Sequence, residues 1–95
     1  MDVATAPFCQ VVDGRSGSIR VGGHLTPRSA GLLTATVQAL RTVGRTRVVL
    51  DLRDLEAADD LGLRVVRGLR ERVAAAGGRL VLLHLPEGPL SPPRR

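Results

Sequence analysis

Aromatic side chains are almost missing from these 95 residues: Phe8 is the only one, with no Trp and no Tyr. That largely excludes nucleic-acid modules that stack bases on aromatic rings. It also leaves Leu, Val, Ile and Ala to build the core. Cysteine occurs once, at Cys9, so no internal disulfide can form, and with two histidines a Cys/His structural zinc site is strongly disfavoured. Lysine is absent, and all 14 basic residues are Arg. No apolar run approaches the ~18 residues of a membrane span. The opening MDVATAPFCQ has neither the charged start nor the long apolar stretch of a signal peptide. The expectation is a cytoplasmic protein in a reducing compartment, without membrane insertion.

What is present is ample apolar material, 43% of the chain, which argues for a folded domain over most of its length. A chain of this size buries about 60–65% of its extended surface, enough for one modest core and not for two. The net charge is +5. The arginines are spread along the chain and interrupted by Asp51, Asp54, Glu56, Asp59 and Asp60, and Arg94 and Arg95 lie at the end. This distribution reads as a solvated face with mild electrostatic steering, not as a nucleic-acid footprint.

Residues 8–12 (FCQVV) read as a short strand and 13–17 as a turn rich in residues that tolerate positive φ. Ser18-Ile19-Arg20-Val21 alternates as a second strand would, and Gly22-Gly23-His24 is expected to end it. Thr26 can cap a helix whose first position suits Pro27. Ala30, Leu33, Val37, Leu40 and Val43 fall at helical spacing, and Gly44 suits the position past the end. Residues 48–52 (VVLDL) read as a strand covered on both faces, followed by a loop over 53–58. Asp59 or Asp60 caps a second helix, with Leu63 (or Leu61), Val65, Val66, Leu69 and Val73 as its buried face and Gly77-Gly78 as its stop. Residues 80–83, with Leu85, form a last strand. Pro86 is expected to end the ordered chain, because the tail PEGPLSPPRR holds four prolines. The domain reading is a flexible stretch over 1–7, one α/β domain over 8–85 and a disordered tail over 86–95. The order β-β-α-β-α-β implies right-handed crossovers and a mixed, mostly parallel four-stranded sheet covered by helices, with the first strand as an antiparallel edge.

Few groups here look catalytic. Asp51, Asp54, Asp59 and Asp60 could hold Mg²⁺ with a phosphoryl group, but no recognisable phosphate-pairing motif completes such a site. His24 follows two glycines, and His84 sits in an apolar run where a polar side chain points to solvent or is satisfied internally. Cys9 has no nucleophile context and is expected to pack as a small hydrophobe. The glycines at 14, 17, 22 and 23 match no phosphate-binding fingerprint. The expectation is no enzyme activity, no metal and no cofactor.

The most informative segment is 48–63, VVLDLRDLEAADDLGL. A buried strand feeds a loop that delivers Asp59-Asp60 to a helix N-terminus, where free N–H groups and the macrodipole favour negative charge. A side-chain cap contributes ~0.5–2 kcal/mol, so stability alone could account for Asp60. The same geometry suits an exposed, charge-based switch.

Taken in order, V-G-G-H-L, the T-P helix start, V-V-L-D-L, D-x-x-G-L at Asp59–Leu63 and A-A-A-G-G-R-L-V-L-L make the chain resemble the STAS domain of bacterial anti-sigma factor antagonists over about 8–85. The resemblance implies partner binding. Members dock on an anti-sigma factor, often a serine kinase, and are switched by phosphorylation of the serine in a D-S-x-G-L pattern. By position Asp59 matches the aspartate, Gly62 the glycine and Leu63 the leucine, and the phosphoacceptor position falls on Asp60, which has no hydroxyl. Either Asp60 mimics the phosphorylated state in part, or the partner has adapted to it and binds without kinase control. The implied partner surface is His24, Leu25, Thr26, Asp59, Asp60, Leu61 and Gly62. The alternative is a STAS subunit of an ABC-type lipid-transport complex packing on its ATPase. Members commonly continue into a further C-terminal helix, which is missing here. Part of one sheet face is then expected to lack cover, which makes a homodimer possible.

Overall fold

The computed structural model describes residues 7–91; the expectations for 1–6 and 92–95 lie outside the described residues. Six elements follow in order: β1 (Cys9–Asp13), β2 (Ser18–Leu25), α1 (Pro27–Thr42), β3 (Arg47–Ala58), α2 (Asp60–Ala75) and β4 (Arg79–Leu83). The strands lie side by side in chain order, with β1 antiparallel to β2 and the other pairs parallel. This is the expected mixed sheet with an antiparallel edge. Both crossovers progress the same way across the sheet, so the two helices pack together on one face.

The period-2 alternation of strands decides what each face holds. One row across the sheet runs Val12, Ile19, Leu50, Leu82. Ile19 and Leu50 in that row are fully buried beneath the helices, joined by Val21, Val48, Leu52 and Leu80. The helices answer with Ala30, Leu33, Val37 and Leu40 from α1 and Leu63, Val66, Leu69 and Val73 from α2. Burying one such Leu or Val contributes roughly 1.5–3 kcal/mol, so this interlayer is what holds the domain together.

The next row runs Val11, Arg20, Asp51, Leu83 and carries neither helix. Val11 and Leu83 are exposed there, and Val49 and Val81 are half-buried. Charge pairs occupy the rest: Arg20 with Asp54 at 2.7 Å and Arg53 with Asp51 at 3.1 Å.

Several expectations are corrected. Gly22-Gly23-His24 does not end β2, and 53–58 is not a loop. The two segments pair in parallel to the Leu25–Ala58 level, across register shifts at Arg20/Gly22 and Gly23/His24. The charges of 53–58 suggest a loop, but Arg53 and Asp54 face solvent while Leu52, Leu55 and Ala58 are buried. Gly23 takes φ +85°, and a Cβ there would run into the Pro7 carbonyl, so only glycine lets β1 begin at this point. Val43 is exposed at the end of α1, and Cys9 is exposed on the edge strand instead of packed. Past Pro86 the described chain keeps contact with the domain. Arg67 of α2 donates to the Pro86 and Glu87 carbonyls at 3.3 and 3.1 Å, and Leu90 exchanges two backbone hydrogen bonds of 2.8 Å with Ala58. Proline lacks an N–H but keeps its carbonyl, so a proline-rich segment can still be tied down as an acceptor.

Candidate functional site

The end of β2 organises both helix starts. His24 offers its carbonyl to the Ser29 hydroxyl at 2.9 Å. Thr26 caps α1: its Oγ1 accepts from the Ser29 amide at 3.2 Å, and the Ser29 Oγ accepts from the Thr26 amide at 2.8 Å. This is a reciprocal capping box with Ser in the position usually held by Glu or Gln. One residue earlier, the Leu25 carbonyl accepts from the Asp59 amide at 3.0 Å, which fixes the start of α2 against the strand. The two helix N-termini therefore open side by side past the ends of the two central strands, β2 and β3, and form an edge of the domain there.

Of the two candidate caps, Asp59 is the one used. Its Oδ1 accepts from the Gly62 amide at 2.6 Å. The glycine is needed for a different reason: a Cβ on it would lie 2.9 Å from the Leu25 carbonyl oxygen. The D-x-x-G spacing thus encodes a cap and a close backbone approach together.

Asp60 has no capping duty. It sits in the first turn of α2, 53% exposed, and pairs with Arg64 one turn on at 3.1 Å. Such exposed i,i+4 pairs contribute only about 0.3–0.5 kcal/mol. Leu61 beside it is 58% exposed, off the buried stripe that begins at Gly62 and Leu63. A carboxylate and an isobutyl group thus stand in solvent with little structural work to do.

The structure brings His24, Thr26, Asp59, Asp60 and Leu61 to this edge and removes two other candidates from its surface. Leu25 is fully buried in the core, and Gly62 is buried under Leu25; they shape the edge through their backbones. The four aspartates are not gathered into one site. Asp51 pairs with Arg53, Asp54 with Arg20 and Asp60 with Arg64, while Asp59 caps α2. No grouping of His, Cys, Asp and Glu that could hold a metal occurs among the described residues. His84 follows β4 at φ 59° and is exposed; it comes just past the Asp51 level of β3, well short of the Ala57 level where His24 pairs.

Sequence reasoning missed two contributors to this edge. The Leu90–Ala58 pairing draws Pro89–Ser91 against it, enclosing a shallow hollow of about 320 Å³ with His24, Thr26 and Asp59. A second hollow, about 440 Å³, lies on the far side of His24 between Phe8, Arg28 and Leu32. A usable signal existed for Leu32: it is apolar but lies off the Ala30-Leu33-Val37-Leu40 stripe. No such signal marked Leu90.

A family model described as "Mlab, STAS domain" matches residues 10–92. The chain belongs to the STAS family. No curated protein matches it. A STAS domain is a protein-interaction and regulatory module, and the match takes in both helix starts and the segment past Pro86. Among the described residues, no helix of this STAS domain is long and apolar enough to cross a membrane.

Proposed function

We propose that this STAS domain is a non-enzymatic, cytoplasmic binding module of the anti-sigma factor antagonist type. It docks an anti-sigma factor or related serine kinase through the α2 edge, without a phosphorylation switch at Asp60. The observation that carries the reading is the division of labour at Asp59-Asp60: Asp59 does the capping, which leaves Asp60 and Leu61 exposed beside the rim formed by His24 and Thr26. Of the two roles open to Asp60, the adapted partner is favoured. A phosphate carries about −1.5 to −2 charge, whereas a carboxylate carries about −1. Arg64 at 3.1 Å offsets even that charge, so the group is a poor phosphate mimic.

A second reading is a STAS subunit packing on the ATPase of an ABC-type lipid-transport complex. It is favoured by the missing hydroxyl at position 60, since a permanent subunit needs no release switch.

The test has two arms. The chain and its Asp60→Ser variant are incubated with a cognate kinase and ATP, analysed by mass spectrometry and titrated for binding. The proposal expects the unmodified chain to bind without gaining phosphate, and Asp60→Ser to gain phosphate and lose binding. Phosphate on another Ser or Thr that controls binding in the unmodified chain would overturn it. In the second arm, proteins retained from native lysate separate the two readings: a kinase-like anti-sigma factor supports the first and a transporter ATPase the second.

A further inference from the structure

The two helix starts at this edge carry opposite charge. α2 opens with Asp59 and Asp60, where its dipole favours anions. α1 has no acid in its first turn and carries Arg28 as its second residue. A cation there is disfavoured by the dipole, so the folding of α1 does not account for it. No carboxylate among the described residues pairs with this guanidinium. One turn on, Leu32 shares the same helical face and is 54% exposed. Facing them is Phe8, half-buried and packed on the core. Phe8 is held there because Gly23, lacking a Cβ, lets the chain at Pro7 cross β2 closely. The hollow so formed is mostly apolar, about 440 Å³, with Arg28 and His24 as its polar rim.

We infer that this hollow receives a large apolar side chain of a protein partner, with a carboxylate one or two residues away that pairs with Arg28. The inference rests on the reading that this edge docks a protein, and it names the chemistry of the segment that does so. Among the described residues nothing roofs this hollow, so a free small molecule would leave much of its surface wet. A side chain presented by a protein backbone closes it instead. Charge selects the flanking residue, since Arg28 stands in the first turn of α1, at the positive end of that helix.

A random-peptide phage library selected on the full chain tests this, with the selected peptides synthesised and titrated by fluorescence anisotropy. The expected peptides carry Leu, Ile, Phe, Tyr or Trp within two positions of Asp or Glu. Arg28→Glu should weaken them about tenfold, because reversal turns attraction into repulsion at a partly exposed site. Leu32→Asp should abolish binding, and changing the peptide's acid to Lys should restore binding to Arg28→Glu. Arg28 and Leu32 are exposed, and circular dichroism checks that both variants fold. Selected peptides without an acid, affinity indifferent to Arg28→Glu, or no selectable peptide would overturn the inference. The readout uses no kinase and no transporter ATPase, so it can fail while the α2 reading stands, or hold while that reading fails.

Discussion

Asp59 and Gly62 together set the start of α2: the carboxylate takes the glycine amide at 2.6 Å, and the glycine's bare α-carbon lets α2 approach the Leu25 carbonyl. Because this pair begins the helix, Asp60 carries no capping bond and pairs only with Arg64. Asp59→Ala should therefore cost about 1 kcal/mol in thermal or urea unfolding, as a lost N-cap does. Asp60→Ala should cost no more than the ~0.3–0.5 kcal/mol of an exposed i,i+4 pair. Equal costs would mean that Asp60 is structural after all.

Glycine-to-alanine substitutions should split by sign. Gly31 and Gly68 lie within helices, and an added methyl at either would meet nothing within 4 Å. Alanine there should stabilise by roughly 0.5–1 kcal/mol. Gly62 is also helical, yet its methyl would meet the Leu25 carbonyl oxygen at 2.9 Å and the Asp59 Oδ1 at 3.1 Å. Gly62→Ala should destabilise, and the midpoint of chemical unfolding distinguishes the two outcomes.

Acid should weaken the fold through two carboxylates. Hydrogen bonds from Ser16 and from the Arg15 and Ser16 amides hold Asp13 below its ordinary value of 3.8. The Arg53 amide and guanidinium do the same for Asp51. Both groups bind protons less tightly folded than unfolded. Their stabilisation is thus present above the ordinary carboxylate value and is lost as pH falls through the lower folded values. Unfolding midpoints should be flat from neutral pH to about 5 and fall below about 4, as for other hydrogen-bonded carboxylates. Asp51→Asn should flatten part of that fall; an unchanged profile would contradict the Arg53 pairing.

The tail should open before the sheet does. Leu90 is held by its backbone pairing with Ala58, and its neighbours by Arg67. Leu90→Pro removes the N–H that donates to the Ala58 carbonyl and should speed hydrogen exchange at the Ala58 amide, leaving Ile19 and Leu50 protected. Uniform loss of protection would show instead that the tail is integral to the core.

The helices were legible because their stripes, caps and stops coincide: Thr26-Pro27 opens α1, Gly77 follows α2, and the Leu/Val spacing leaves one face to bury. The strand ends were harder. Residues 53–58 carry three charges, and only the tertiary pairing with Gly22–Leu25 makes them a strand. The choice between Asp59 and Asp60 as cap turned on a one-residue offset that composition cannot resolve; the Leu25 carbonyl and the Gly62 amide decide it. For the same reason Leu25 and Gly62 read as surface residues in the sequence, whereas their carbonyl-to-glycine approach places them inside. Position 90 was out of reach, since one backbone bridge across roughly thirty intervening residues leaves no periodic trace.

The proposed function puts the partner on the α2 edge and not on the open sheet face. The most direct measurement compares three immobilised baits, each shown to be folded: the unmodified chain, Leu61→Asp on the edge and Val11→Asp on the uncovered sheet face. Quantitative mass spectrometry follows the kinase-like or ATPase protein retained from native lysate. That protein should be lost with Leu61→Asp and kept with Val11→Asp; loss with Val11→Asp and retention with Leu61→Asp would contradict the claim.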